Sequence, residues 1–542
     1  MTIVATPPLS LEQAVGHKLM LAFAGHQPPA AFLERVARGP LGGVTLFRSL
    51  NVADPAQVRA LTAALQAAAR QSGQPPLLIA ADQEGGTLMA LAGSTQFPGN
   101  LALGATGSAD LARQTGLALG RELAAVGVNV NYAPVCDVNI NPVNAVVGPR
   151  SFGEDPAAVA RLVAALVEGL QAAGVAATLK HFPGHGDTGV DSHNAMPVLS
   201  HDAARLERVE LPPFAAGLAA GAHLVMTAHI ALPALTSGRP LPATLAPTIL
   251  GDLLRNTLGF RGVIISDAME MRAISQGSGL VVDAIAAAAA GVDLLILNSD
   301  TDEQEAIYAG LCQAADRGLI PAAAVQESAA RILHLKSWVA GQTQPPLEVV
   351  ACAAHRALAA ETATRAITLV RDTAGLLPLR LAPGARVAAV VPRPVDLTPA
   401  DTSSYVTPGL AAALRRYHRL VDEHIIPINP HAGEVAAVAD AVAGADLVIM
   451  GTINAQEHAG QVALVERLLA SGTPVVAVAL RMPYDLAAYP GAPTYLCTYS
   501  VLDTAMEALA AALWGVQGCP GRLPVSIPGL YPLGHGLDGA PA

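Results

Sequence analysis

The sequence predicts an α/β protein: a (β/α)8 TIM-type barrel over residues 1–340, a linker and helix over 341–364, and a smaller αβα sandwich over 365–542. Three observations carry this reading. From about residue 10 to 340, short strand-like apolar runs alternate with alanine- and leucine-rich helical stretches. The segment GQTQPPLEV (341–349) then has the composition of a turn and linker. A second alternation begins at ITLVRD (367–372), and 542 residues exceed the size at which a single core stops growing.

Taken in order, the barrel strands fall at Leu19–Ala24, Gly43–Phe47, Leu77–Asp82, Val128–Val135, Ala176–Phe182, His223–His229, Gly262–Asp267 and Asp293–Asn298. Runs such as LLIAAD, HLVMTAH and GVIISD are continuously apolar, as strands buried on both faces of a parallel sheet must be. The longest apolar stretch, Val281 to Asn298, is interrupted by Asp283, Gly291 and Asp293 and reads as helix, turn and strand rather than a membrane span. Beyond the linker, RVAAVVP, DLVIMGT, PVVAVAL and TYLCTYS continue the second alternation. The second domain is assigned the role of stabilising the barrel. The tail after Pro532 has little pattern and reads as coil.

Composition narrows the function. Hydrophobic residues make up 52% and charged residues 14%, ample for large buried cores and unlike a disordered chain. A net charge of −11 with no run of lysine or arginine argues against nucleic-acid and anionic-membrane partners. Five cysteines are scattered with no CxxC pair, and the N-terminal MTIVATPPLSLEQ has neither a basic nor a long apolar region. A cytoplasmic protein is expected.

Polar residues recur where the apolar runs end. Asp82, His181, His229, Asp267 and Asn298 each lie at or just past the C-terminal end of one. One such residue is explained by a helix N-cap; several together suit the barrel face on which active sites are built. The densest cluster is KHFPGHGDTGVDSH (180–193), where glycines and a proline force an irregular loop carrying three histidines and two aspartates. Histidine can both give and take a proton near neutral pH, and a nearby carboxylate such as Asp191 can fix the tautomer of His193. A metal site is the competing reading, though the ordinary ligand spacings are missing. Another is a loop held by its own polar residues, which fits His185 and Asp187.

Asp267 at the end of GVIISD could attack an anomeric carbon or coordinate a cation. Asp82, followed by Gln83-Glu84-Gly85-Gly86, suits hydrogen bonding to vicinal sugar hydroxyls. Arg150 could bind hydroxyls or orient a carboxylate, or else form a surface ion pair with Glu154 or Asp155. With Lys180 and His181, these residues would cradle one sugar ring.

KHFPGHGDT followed by Asp-x-His, together with DQEGG, RSFGEDP, MTAH and SDAMEM in that order, resembles glycoside hydrolase family 3, in its β-N-acetylglucosaminidase subgroup. The resemblance continues through ITLVRDTAGLLPL, VVAVALRMPYDL and GRLPVSIP, covering nearly the whole chain. It implies a retaining, exo-acting β-N-acetylhexosaminidase with Asp267 as nucleophile, His193 as acid/base and Asp191 orienting it. It also implies Asp82, Arg150, Lys180 and His181 as sugar-binding residues, an N-acetylglucosamine-containing saccharide as substrate, and no cofactor or metal. Cell-wall fragment recycling is a family-level expectation. Met89 is a departure, because many relatives follow EGG with a short spacer and an arginine. Two alternatives stay open: a phosphorylase, since a neutral imidazole does not repel phosphate, and a non-catalytic sugar-binding protein.

Overall fold

A computed structural model of the chain describes residues 9–144, 146–274 and 279–539. Residues 1–8 of the N-terminal segment expected to lack a secretory signal, and 540–542 of the coil-like tail, lie outside them. In chain order the strands are β1 (Leu19–Leu21), β2 (Gly43–Thr45), β3 (Leu78–Ala81), β4 (Gln83–Gly85), β5 (Leu88–Met89), β6 (Val130–Asn131), β7 (Ala176–Phe182), β8 (Leu224–Thr227), β9 (Val263–Ala268) and β10 (Leu294–Ile296). A second group follows: β11 (Thr368–Asp372), β12 (Val387–Pro392), β13 (Val421–Ile426), β14 (Leu447–Thr452), β15 (Val475–Ala479) and β16 (Thr494–Cys497).

Strands β1, β2, β3, β6, β7, β8, β9 and β10 close into an all-parallel barrel in that order, with the antiparallel β4–β5 hairpin standing on the end of β3. The continuous apolar runs are explained by the period of two. Met20, Leu78, Val130, Met226, Ile265 and Ile296 fill the barrel interior, whereas neighbours Leu19, Ile79, Val225, Ile264 and Leu295 pack outward against the helices. Each predicted run contains a barrel strand, but several are shorter than expected. Val128–Val135 contracts to β6 because Pro134 has no N–H for the ladder, and pairing with β7 continues irregularly through Lys180 N to Pro134 O at 3.2 Å.

The other six strands form one sheet in the order β11-β16-β15-β14-β12-β13, parallel except for β11 against β16. Alternation again assigns the faces. Val448 and Met450 of β14 face one core, shared with Leu101 and Ala105 of the helix Asn100–Thr106, while Leu447 and Ile449 face the other. Five of these strands are visible as apolar runs; β13 (VDEHII) is not, because it is an edge strand with mostly exposed side chains between its buried ends. Residues 533–539 of the tail form no strand or helix, yet Leu537 N donates to Leu369 O at 2.7 Å along β11. No helix among the described residues is long and apolar enough to cross a membrane.

Candidate active site

The floor of the site is an ion network at the C-terminal ends of β3 and β7. Lys180, almost wholly buried, places Nζ 2.5 Å from Asp82 Oδ1 and 2.6 Å from Glu84 Oε1. Arg150, in the turn Gly148–Arg150, grips Glu84 with both prongs: Nε donates to Oε2 at 3.0 Å and Nη2 to Oε1 at 2.7 Å. Burial would raise the Glu84 pKa, but Arg150 and Lys180 outweigh it and hold the carboxyl at about 2. Burial likewise opposes the charge on Lys180, and Asp82 and Glu84 reverse it, so its pKa is raised. The hairpin that delivers Glu84 turns at Gly86, whose φ of +64° and approach to Gly99 leave no space for a side chain.

Arg150 thus does not pair with Glu154 or Asp155, as its sequence neighbourhood allowed. Asp155 instead caps the helix Pro156–Ala172 through Ala158 N (2.7 Å), and Glu154 accepts from Ser526 Oγ (2.9 Å). Glu84, quoted in the DQEGG segment but given no role there, is the centre of the network.

His181 is held by a second residue that sequence reasoning missed. Asp137 Oδ2 lies 2.7 Å from His181 Nδ1, and Oδ1 accepts the backbone N–H of His181 at 3.2 Å and of His185 at 2.7 Å. Burial would raise the Asp137 pKa, but His181 and His185 keep it below the usual carboxylate range. A carboxylate can only accept, so His181 Nδ1 is the donating ring nitrogen, and Nε2 has no hydrogen-bond partner among the described residues. The signal for Asp137 was present, since it follows the β6 run as Asp82 follows β3.

Above this floor runs the loop from Gly184 to His193. Gly186 is required where the loop crosses Val138, because a Cβ there would lie 1.8 Å from the Val138 carbonyl oxygen. His185 clamps the loop, Nδ1 to Thr188 Oγ1 at 2.7 Å and Nε2 to Ser192 Oγ at 3.0 Å. Burial lowers its pKa to about 4, so it stays neutral. Asp187 turns away to His201 at 2.8 Å. Both therefore act as loop-holding residues, as expected. At the tip, Asp191 Oδ1 accepts from His193 N at 2.8 Å and meets Nδ1 at 2.7 Å. Burial would raise the Asp191 pKa, and the bonds from His193 lower it instead. His193 Nε2 has no hydrogen-bond partner among the described residues, on a side chain 24% exposed against 10% for Asp191.

Asp267 ends β9, with Oδ1 accepting Ala268 N at 2.8 Å. Burial would raise its pKa, but His181, His229 and His193 and the Ala268 amide hold it at about 2, so it is ionised at neutral pH. His229 spends both ring nitrogens on structure, Nε2 on Ala268 O (3.0 Å) and Nδ1 on Thr244 Oγ1 (2.8 Å). Asn298 bonds Glu303 and the Asp300 amide beside the next helix. Of the five strand-end residues, Asp82, His181 and Asp267 reach the cavity; the other two support backbone.

One cavity of about 260 Å³ is lined by Asp82, Arg150, Lys180, His181, His193 and Asp267, with Asp191 behind His193. That volume falls below the ~300–1,000 Å³ of sites for drug-sized ligands and suits a single sugar ring. No group of three or more His, Cys, Asp or Glu side chains suited to a metal ion occurs among the described residues. The second domain is more than a support: Asp396, Pro399, Ala400, Asp401, Thr402 and Tyr405 complete the cavity wall. Thr402 Oγ1 accepts from Met89 N (3.0 Å) and donates to Thr87 O (3.0 Å), clasping the β4–β5 hairpin. A cation from another element lies beside Met89. Arg48 Nη1 donates to Met89 O at 3.0 Å, and its guanidinium lies over the Tyr405 ring at 4.4 Å.

Comparison with known proteins shows what the chain is similar to. The family model described as the glycosyl hydrolase family 3 N-terminal domain matches residues 11–335. Beta-hexosaminidase A of Pseudoalteromonas piscicida is 32% identical, over 96% of this chain and 98% of that protein. A beta-hexosaminidase of Chromobacterium violaceum is 38% identical, over 54% of this chain and 82% of that protein. Among solved structures, the glycoside hydrolase family 3 beta-N-acetylglucosaminidase from Paenibacillus sp. superposes with a TM-score of 0.90 at 37% identity, covering 96% of this chain and 99% of that one.

Proposed function

We infer the function from one premise: the chain belongs to glycosyl hydrolase family 3. It is a glycoside hydrolase, and the relatives named beta-hexosaminidase and beta-N-acetylglucosaminidase support a β-N-acetylhexosaminidase. We further infer a retaining, exo-acting mechanism that releases terminal N-acetylglucosamine. The observation that carries it is the shared cavity of Asp267 and His193, an ionised carboxylate and an imidazole whose Nε2 has no partner among the described residues.

In this reading Asp82, Arg150, Lys180 and His181 hold the sugar ring. Asp267 attacks C1, forming the carbon–oxygen bond as the glycosidic bond breaks, while His193 Nε2 gives its proton to the leaving oxygen. Asp191 stabilises the imidazolium and fixes Nδ1 as the second protonated nitrogen. Neutral His193 then takes a proton from water as water attacks C1, and the sugar leaves with its configuration retained. The 2-acetamido group is recognised but is not the nucleophile. The five unpaired cysteines fit a reducing, cytoplasmic setting, and cell-wall fragments are the substrate source we favour.

The test is a panel of aryl N-acetylglucosaminide, N-acetylgalactosaminide and glucoside, each with and without phosphate. Turnover of the first to free sugar is expected. Release of sugar 1-phosphate would replace hydrolysis by phosphorolysis, and binding of N-acetylglucosamine without turnover would leave only a sugar-binding protein. Asp267→Ala should lower kcat by a factor on the order of 10⁴ or more; near-normal activity in the purified variant would refute the nucleophile.

A further inference from the structure

We propose that the barrel carries a second ligand site, at the end opposite the sugar cavity, where Lys18, Arg255, Arg261 and Arg331 hold a small phosphate monoester. Lys18 precedes β1, Arg261 precedes β9 and Asp293 precedes β10, so all three stand at N-terminal strand ends. Asp82, Lys180 and Asp267 stand at or beside the C-terminal ends of β3, β7 and β9. Arg255 and Arg331 join the first group from the helices Thr248–Thr257 and Ala322–Ala340. Together these residues line a cavity of about 330 Å³. That is room for a phosphate and a body the size of one sugar.

The charge of this cavity is what a dianion would balance. Of its two carboxylates, Asp293 is fully engaged: Oδ1 accepts from Arg331 Nε (3.1 Å) and Nη2 (2.9 Å), and Oδ2 from Arg255 Nη2 (2.6 Å) and Ile264 N (2.8 Å). The other, Glu327, is 71% exposed at the rim and reaches Arg331 Nη1 only at 4.0 Å. Lys18 is buried and pairs with no carboxylate among the described residues; Nζ donates to Val292 O at 2.8 Å and Ser328 Oγ at 2.7 Å. Burial lowers the Lys18 pKa to about 8; Asp293 opposes the fall, and Arg331 and Arg255 add to it. Four cations thus share the cavity with two carboxylates, an excess of two positive charges. A phosphate monoester carries about −1.5 to −2 at pH 7 and presents three acceptor oxygens.

Holding the barrel together explains part of this cluster, since Asp293 ties β9 to the two helices. It does not explain Arg261, whose one hydrogen bond is from Nη1 to Arg255 O at 3.2 Å, nor the space left beside the guanidiniums. Arg255 Nε, Arg331 Nη1 and Arg261 Nη2 have no hydrogen-bond partner among the described residues, which leaves donors for ligand oxygens. Thr248–Thr257, which carries Arg255, is wound as a π-helix, a form frequent at functional sites. Gly251 on the same helix also lines the cavity, and a Cβ there would meet nothing within 4 Å.

The experiment titrates the full chain with glucose 6-phosphate, inorganic phosphate and glucose by calorimetry. Saturable binding of the ester with a Kd below about 1 mM is expected, with weaker binding of the other two. Arg261→Gln should weaken the ester about tenfold, and Glu327→Gln, which removes the rim carboxylate, should tighten it about threefold. Gly251→Glu sets a carboxylate in the cavity without a clash and should abolish binding. Turnover of an aryl N-acetylglucosaminide should be unchanged in all three variants, because none touches the sugar cavity. Ester affinity indifferent to the three changes would put the anion elsewhere and overturn the site. So would glucose or inorganic phosphate binding as tightly as the ester, or no saturable ester binding below about 10 mM.

Discussion

The sugar cradle and the dyad loop meet in one cavity but are built in opposite ways. Cradle residues project from strand ends or, for Arg150, from the turn Gly148–Arg150, are nearly all buried, and are fixed by partners distant in sequence, Lys180 by Asp82 and Glu84, Arg150 by Glu84 and His181 by Asp137. The dyad is local: Asp191 and His193 are two residues apart, half-shielded, on a loop pinned by short-range bonds from His185. In the proposed mechanism, recognition is placed on elements fixed by distant partners, and proton transfer on a loop held by local bonds. A carboxylate ground between two buried cations cannot move without unpairing charges, whereas a loop histidine can.

The largest test of this contrast is Glu84→Ala. Removing the centre of a buried ion network leaves Arg150 short of its partner and should destabilise the protein by about 3–5 kcal/mol, measured by denaturant unfolding. A variant as stable as wild type would break the comparison. Next is acid. The Glu84 pKa is depressed in the folded protein, from 4.5 to about 2, so its stabilisation is present above pH 4.5 and lost as pH falls towards 2. The loss should be on the order of 3 kcal/mol, and Glu84→Gln should flatten that part of the pH–stability curve. A curve unchanged by Glu84→Gln would assign acid lability elsewhere.

On the dyad side, His193→Ala should lower kcat roughly 10²-fold on substrates with poor leaving groups, less on activated aryl glycosides, and leave unfolding midpoints almost unmoved. Equal losses on both substrate types would argue against the acid role. The smallest expected effect is that of Thr188→Ala. It removes the Oγ1 bonds to His185 Nδ1 (2.7 Å) and His185 O (3.0 Å) and the one from Asn144 Nδ2 (3.3 Å), and should cost about 1–2 kcal/mol of stability. A loss as large as that of Glu84→Ala would show that the loop is as tightly built as the cradle.

How much of this was legible in the sequence follows the same division. Local features were readable: the eight runs, Asp267 at the end of one, and the Asp191–His193 spacing. The centre of the cradle was not, because Glu84 and Arg150 are brought together across 66 positions by barrel closure. Asp137 met the strand-end criterion and was passed over beside the histidine-rich loop. Strand β13 was hidden because its middle residues face solvent, and the Asp396–Tyr405 segment because VDLTPADTSSY shows no periodicity. Its importance comes entirely from where the second sheet sits.

The clasp made by the Thr402 hydroxyl has a consequence for any shortened form. A polypeptide ending in the linker would keep each side chain assigned to grip the ring or carry out proton transfer, yet the Met89 amide would lose its acceptor and the pit would lose its roof. The Chromobacterium relative aligns with only 54% of this chain. Here the enclosure is inherited from the far end of the polypeptide.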